Sequence, residues 1–138
     1  MTTLCLATGN KNKLKEIKEL YRDLEIEWKS LSDFPGLPPV IEDGETFEDN
    51  ARKKAREIHE QTGLLTIADD SGLEVDCLNG APGVYSARFS GENSSDEKNN
   101  QKLRQLLTDV PFEKRTARFR CVAALAGDGI EACKSGKI

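Results

Sequence analysis

Segments with strand patterns alternate with segments of helical periodicity along the whole chain, and this alternation limits the possible folds more than any other feature. The predicted strands are short apolar or alternating runs at residues 3–7, 26–30, 64–68 and 73–77. A last segment, "RTARFRCVAALAGDGIEAC", predicts a β-hairpin that turns at Asp128-Gly129. Helices between such strands are typical of an α/β domain. We therefore predict a mixed central β-sheet flanked by helices.

Three segments with apolar residues at helical spacing predict the helices. The first covers residues 11–22, and the loop at residues 31–45 separates a second strand from the next helix. The second helix should start at an N-cap Thr46 and end at Gly63, with an apolar stripe formed by Phe47, Ala51, Ala55 and Ile58. Ser94 and Glu97 predict the start of the third helix, whose core-facing residues should be Leu103, Leu106 and Leu107.

Composition excludes several classes of protein. The net charge of −4 argues against a nucleic-acid polymer as partner, and no apolar run is long enough to span a membrane. The four cysteines form no C-x-x-C pair, so a zinc site is disfavoured. We expect the three in strand-like runs to be buried thiols of a cytoplasmic protein. The single histidine, His59, should be a solvated residue on a charged helix face, which disfavours a histidine-dependent triad.

The stretch "ATGNKNKLKE" takes a strand through a glycine turn into a lysine-rich helix. Unpaired N–H groups and the positive end of the helix dipole favour anions at such a position. We predict a phosphate cradle built from Thr8, Gly9, Asn10 and Lys13. The alternative is a simple turn followed by a solvated lysine face.

Two further stretches supply an ammonium group and carboxylates. Lys54 borders the apolar stripe, so it could direct its ammonium into a cleft or simply extend to solvent. Glu42 lies in the loop before that helix. Asp69 and Asp70 stand where a strand should end, and Ser71-Gly72 would allow the chain to bend. Carboxylates that converge in this way could hold Mg²⁺ against phosphates, or they could be solvated.

Four motifs in this order carry a family resemblance: "TGNKNKLKE", "FEDNARKKA", "IADDSGLEVDCLNGAPGVYSARFSG" and "RTARFRCV". The chain resembles the inosine/xanthosine triphosphate pyrophosphatases, which hydrolyse non-standard purine nucleoside triphosphates such as ITP, dITP and XTP. The resemblance runs along essentially the whole sequence. It implies an ITPase-like, anticodon-like α/β fold, Mg²⁺ as cofactor, a small nucleoside triphosphate as substrate, and a homodimer in the full-length family form.

The resemblance also implies roles for single residues. The turn from Thr8 to Lys13, with Lys11 and Asn12, would bind the triphosphate. Lys54 would neutralise phosphate charge, and Ser71 would contact substrate. The implied metal ligands are Glu42, Asp69 and Asp70, with Asp70 also the base that activates water and Asp69 beside it in the catalytic set.

The family's aromatic F-G-Y-D segment and its S-H-R segment, which recognise the base, do not occur in this sequence. We therefore expect residues 1–138 to form a single pyrophosphatase domain that lacks the C-terminal base-recognition portion and has an incomplete second lobe. Two alternatives to the leading interpretation follow. One is an inactive fragment that keeps only the phosphate and metal half of the site, and the other is a pyrophosphatase with a different base preference.

Overall fold

The structure is a computed structural model that describes all residues from Met1 to Ile138. It contains three α-helices: α1 (Lys11–Leu20), α2 (Phe47–Thr62) and α3 (Asp96–Leu106). The five strands are β1 (Thr2–Leu6), β2 (Ile26–Ser30), β3 (Leu65–Val75), β4 (Ala117–Gly127) and β5 (Ile130–Lys137). None of the helices has the length and apolar composition that a membrane crossing requires.

The strands form one five-stranded sheet in the order β2-β1-β3-β4-β5. Strand β1 runs parallel to both β2 and β3. Strands β4 and β5 are joined at Asp128-Gly129, and Phe119 and Ile138 exchange two backbone hydrogen bonds of 2.9 and 3.0 Å, so this pair is antiparallel. The predicted mixed sheet with flanking helices and a hairpin is therefore confirmed.

The chain divides into two compact units. The first unit, residues 1–69 and 122–134, contains most of the buried apolar side chains. They lie in or next to β1, α2, β3 and β4, and the larger side chains among them are Leu4, Leu6, Phe47, Ile58 and Val122. The second unit, residues 70–121 and 135–138, contains α3 and the remainder of β3, β4 and β5. Val75 is its buried aliphatic side chain.

Helix α2 forms as predicted from its end signals and its apolar stripe. The hydroxyl of Thr46 accepts a hydrogen bond from the N–H of Asp49 at 3.0 Å. Gly63 adopts the left-handed conformation, with φ of +73°, and closes the other end. The four predicted stripe residues, Phe47, Ala51, Ala55 and Ile58, are all buried.

Two predictions about local structure were wrong. The aspartate pair does not follow a strand end, because β3 continues without interruption from Leu65 to Val75. Helix α3 has its N-cap at Ser95 and not at Ser94, and it has no fully buried residue. Leu106 is exposed, whereas Leu103 and Leu107 are half-buried. Apolar spacing on this short helix identified its inner face but overestimated how far that face is covered.

Candidate functional site

The turn between β1 and α1 is organised by its own polar side chains. The Thr8 hydroxyl accepts a hydrogen bond from the Asn10 N–H at 3.1 Å. Asn10 is the N-cap of α1, and its Oδ1 accepts from the N–H groups of Asn12 and Lys13 at 2.9 and 3.3 Å. Two of the N–H groups expected to face an anion are thus already bonded to Asn10. The groups of this segment that can still bind an anion are therefore the lysine side chains and the turn at Gly9.

The loop before α2 is fixed to that helix through Asn50. Its Oδ1 accepts the N–H of Gly44 at 2.7 Å, and the residue is only 1% exposed. A buried amide oxygen with a short hydrogen bond restrains the backbone that it binds. Glu42 lies two residues before Gly44, so this bond limits where the Glu42 carboxylate can lie.

Four of the predicted site residues meet through short polar contacts. The Lys54 ammonium lies 2.8 Å from Glu42 Oε1 and donates to the backbone carbonyl of Asp69 at 2.9 Å. The Lys13 ammonium lies 2.6 Å from Asp69 Oδ2. Helices α1 and α2, strand β3 and the loop at residues 31–45 thus each contribute one member. Two ammonium groups and two carboxylates form one connected set, which we call the lysine–carboxylate cluster.

The cluster is partly shielded from solvent. The side chain of Lys54 is 18% exposed and that of Asp69 is 20% exposed. Lys13 and Glu42 are the more accessible members, at 38% and 39%. The partial burial of Lys54 and Asp69 reduces the solvent screening of the charges on those two side chains.

Asp70 and Ser71 follow Asp69 along β3 and begin the second unit. Asp70 is half-buried, and Ser71 is exposed. Successive side chains of a strand point to opposite faces, so the two aspartates diverge unless the strand is distorted. The alternation of buried residues continues past the pair, since Thr66, Ala68 and Gly72 lie on the same face, and it changes only between Gly72 and Val75.

A cleft of about 430 Å³ adjoins the cluster within the first unit. Its polar edge contains Thr8, Gly9, Glu42 and Lys54, and its wall is largely apolar. Most of that wall comes from the Pro/Gly-rich loop: Leu31, Phe34, Pro35, Leu37, Pro38, Pro39 and Val40. The sequence predicted this segment only as a loop, although its apolar content, high for a loop, was a signal that it could line a site. A mainly apolar cleft with a few polar groups at one edge is typical of small-molecule sites.

The residues of the cluster fit a divalent cation by their chemistry. Carboxylate oxygens are hard ligands, and Mg²⁺ is commonly held by one or two of them together with waters and substrate phosphates. Glu42 and Asp69 supply two carboxylates: the first is paired with Lys54, which also contacts the Asp69 backbone carbonyl, and the second is paired with Lys13. No group of three or more His, Cys, Asp or Glu side chains is gathered tightly enough to hold a metal by itself. The donor set therefore fits an ion that completes its coordination with waters or substrate oxygens.

His59 is not the solvated residue that its helix face predicted. Its side chain is 14% exposed; Nδ1 lies 2.7 Å from the Leu64 carbonyl oxygen, and Nε2 lies 3.0 Å from Asp128 Oδ1. The Leu64 carbonyl and then the Asp128 carboxylate raise the pKa of His59 above its ordinary value. His59 links the end of α2 to the β4–β5 turn, away from the lysine–carboxylate cluster.

The expectation that three strand cysteines are buried holds for one of them. Cys5 in β1 is buried, and this burial, with Asp33 nearby, raises the pKa of its thiol to about 11. Of the other three, Cys77, which lies just after β3, and Cys121 in β4 are exposed, and Cys133 in β5 is half-buried. The alternating pattern identified the strands but not which of their faces is covered.

A family model described as the Ham1 family matches residues 4–138. The chain belongs to the Ham1 family. Among curated relatives, it is 57% identical over 129 residues to a dITP/XTP pyrophosphatase of Geobacter sulfurreducens, covering 94% of this chain and 65% of the relative. It is 58% identical over 123 residues to a protein of the same name from Desulforamulus reducens, covering 89% of this chain and 61% of the relative. The chain thus spans less than two thirds of the length of these two relatives.

Solved structures of Ham1 proteins agree with the fold. A HAM1 protein from Coxiella burnetii superposes with a TM-score of 0.91 at 41% identity, covering 99% of this chain and 71% of that one. A nucleoside-triphosphatase / dITP/XTP pyrophosphatase from Mycobacterium abscessus gives a TM-score of 0.87 at 42% identity, with coverages of 99% and 72%. The family resemblance and the fold class predicted from the sequence are confirmed.

Proposed function

We propose that this chain acts on non-standard purine nucleoside triphosphates, namely ITP, dITP and XTP, and hydrolyses them to the monophosphate and pyrophosphate. The observation that carries the proposal is the lysine–carboxylate cluster, in which Lys13, Lys54, Glu42 and Asp69 come together beside a cleft. The names of the curated relatives support the same reaction. Ammonium groups for phosphates and carboxylates for a cation are the groups that such a reaction needs.

The triphosphate would bind to the β1–α1 turn and the two lysines. Thr8, Gly9 and Asn10 form the turn, and Lys11 and Asn12 open the helix behind it. Lys13 and Lys54 would each exchange a carboxylate or carbonyl partner for an oxygen of the triphosphate, whose total negative charge exceeds that of one carboxylate. Each charge-assisted contact would fix the phosphates relative to β3, on which the proposed base lies.

Asp70 is proposed as the base and Ser71 as a substrate contact, both on the strength of the family resemblance. In the reaction a water oxygen forms a bond to the α-phosphorus, and the bond from that phosphorus to the bridging oxygen of pyrophosphate breaks. The proton released by the water passes to the Asp70 carboxylate. On the same resemblance, Glu42, Asp69 and Asp70 would hold Mg²⁺ together with substrate oxygens, and the ion would neutralise charge on the phosphate oxygens.

The remaining elements of the proposal rest on the resemblance alone. They are Mg²⁺ as the cofactor, a cytoplasmic location and a homodimer in the full-length family form. Light scattering after size-exclusion chromatography tests the dimer, and activity titrated with Mg²⁺ after chelation tests the cofactor. A monomeric full-length protein, or turnover that persists in excess chelator, would contradict the respective element.

Pyrophosphate release from ITP, XTP, GTP and ATP tests the proposed reaction. With Mg²⁺, we expect ITP and XTP to be turned over faster than GTP and ATP. We expect Asp70→Asn to lower the rate by about 100-fold or more, because it keeps the side-chain shape but removes the base. Asp23→Asn is the matched control, since Asp23 is an exposed residue outside the cluster.

The same assay decides against the competing functions. Folded protein that binds ITP without releasing pyrophosphate would indicate the inactive fragment, which no comparison supports. Turnover that favours ATP or GTP would indicate a pyrophosphatase with another base preference.

A further inference from the structure

Both lysines of the cluster already have anionic or carbonyl partners supplied by the protein itself. Lys13 is paired with Asp69 at 2.6 Å, and Lys54 contacts both Glu42 and the Asp69 carbonyl at 2.8 and 2.9 Å. Two positive and two negative groups balance each other without any ligand. The proposed phosphate ligands and the proposed metal ligands are therefore bonded to one another.

This pairing gives each ligand a cost when it binds alone. A polyphosphate that takes the ammonium group of Lys13 leaves the carboxylate of Asp69, which is 20% exposed, without its counter-charge. A divalent cation that binds the Asp69 carboxylate must likewise displace the Lys13 ammonium group or be repelled by its positive charge. When both ligands bind, the lysine goes to phosphate and the carboxylate goes to the cation, so neither charge is left unpaired.

We propose that Lys13 is a charge-exchange residue. In the free protein its ammonium group pairs with the Asp69 carboxylate in place of the divalent cation, and it moves to the polyphosphate when the nucleotide binds. This inference rests on the proposed function for the identity of the two ligands. Its distinctive consequence is that removal of Lys13 should tighten the binding of the cation alone and, because a phosphate contact is lost, weaken the binding of the polyphosphate alone.

Lys13 is the mobile partner because of where it lies. Its side chain is 38% exposed and contacts the Asp69 carboxylate alone, whereas the Lys54 side chain is 18% exposed and makes two contacts. Lys13 lies in the first turn of α1, directly after the turn proposed to bind phosphates. Its flexible stem can carry the ammonium from Asp69 to that turn without a change in the backbone.

The test is Lys13→Met, with each ligand measured by itself so that the two probes cannot bind each other. Mn²⁺ alone is titrated and followed by electron paramagnetic resonance of the free ion, and inorganic tripolyphosphate alone is titrated by calorimetry. We expect the variant to bind Mn²⁺ about threefold to tenfold more tightly, which corresponds to the loss of one partly exposed ion pair. We expect it to bind tripolyphosphate more weakly by at least the same factor.

Two variants serve as controls. Lys15→Met removes the same charge two residues further along α1, from an exposed position, and should change either affinity by less than about twofold. Lys13→Arg keeps the ion pair and should restore Mn²⁺ affinity to that of the unmodified protein. A thermal melt establishes that each variant is folded.

The inference is overturned if Lys13→Met leaves Mn²⁺ affinity unchanged or weakens it, if Lys15→Met tightens it equally, or if the unmodified protein and the variant both fail to bind Mn²⁺. These results differ from failure of the proposed function. Opposite shifts of the two affinities in a protein that releases no pyrophosphate would support the exchange and contradict the reaction. Turnover together with an Mn²⁺ affinity that Lys13→Met leaves unchanged would support the reaction and contradict the exchange.

Discussion

Replacing Gly44 by alanine tests how the loop that carries Glu42 is held against α2. A Cβ at this position would lie 2.7 Å from Asn50 Oδ1 and 2.8 Å from the Asp49 Cβ, both inside van der Waals contact. The Asp49 Cβ is attached to the helix backbone and cannot rotate away. The loop must therefore move, and the 2.7 Å hydrogen bond from the Gly44 N–H to buried Asn50 breaks.

The magnitude follows from two terms. Leaving a buried amide oxygen without its donor costs about 1–3 kcal/mol, and forced overpacking costs about 1–3 kcal/mol. Some of this cost disappears as the loop relaxes, so we expect Gly44→Ala to lower the free energy of unfolding by about 2 kcal/mol. Displacing the loop also moves Glu42 away from Lys54, so Mn²⁺ binding should weaken as well.

Urea unfolding is the assay, and Gly36→Ala is the matched control. It makes the same substitution in the same loop, at a position where an added Cβ meets nothing within 4 Å. The free energy of unfolding of the control should lie within about 0.5 kcal/mol of that of the unmodified protein. If Gly44→Ala unfolds at the same urea concentration as Gly36→Ala and binds Mn²⁺ with the same affinity, the proposed attachment of the loop is wrong.

Two further substitutions test the ends of α2. Thr46→Ala removes the side-chain acceptor of the Asp49 N–H and should lower the free energy of unfolding in urea by about 1 kcal/mol; no measurable change would contradict the cap. His59→Gln tests the link to Asp128. Because the folded state raises the pKa of His59 above 6.5, its stabilisation is complete below that pH and is lost as pH rises through the folded-state pKa. Thermal melts should show the variant least stable relative to the unmodified protein in acid, and a difference independent of pH would refute this reasoning.

Sequence patterns correctly predicted those elements whose structure is determined by residues close to one another in the sequence. Helix α2 could be predicted end to end because Thr46 and Gly63 mark its ends and Ala51 and Ala55 its buried stripe. The strand interruption at Asp69 was predicted wrongly because aspartate, serine and glycine are poor strand formers. Pairing in a sheet overrides such weak local preferences, and β3 remains one strand.

Long-range contacts could not be predicted by pattern alone. Lys13 and Asp69 are 56 residues apart, and His59 and Asp128 are 69 residues apart. Residue type suggested that Lys13 and Asp69 belong to one site, because phosphate and metal chemistry needs both. Nothing in the sequence indicated that they bind each other, or that an acceptor would face each nitrogen of the His59 ring.

The position of water attack is the most direct test of the proposed reaction. ITP and Mg²⁺ are incubated with the protein in water enriched in ¹⁸O, the products are separated, and their masses are measured by mass spectrometry. We expect the proposed reaction to leave one labelled oxygen in inosine monophosphate and none in pyrophosphate, because the new bond forms at the α-phosphorus. Label in pyrophosphate, release of inosine diphosphate, or no turnover by folded protein would contradict it.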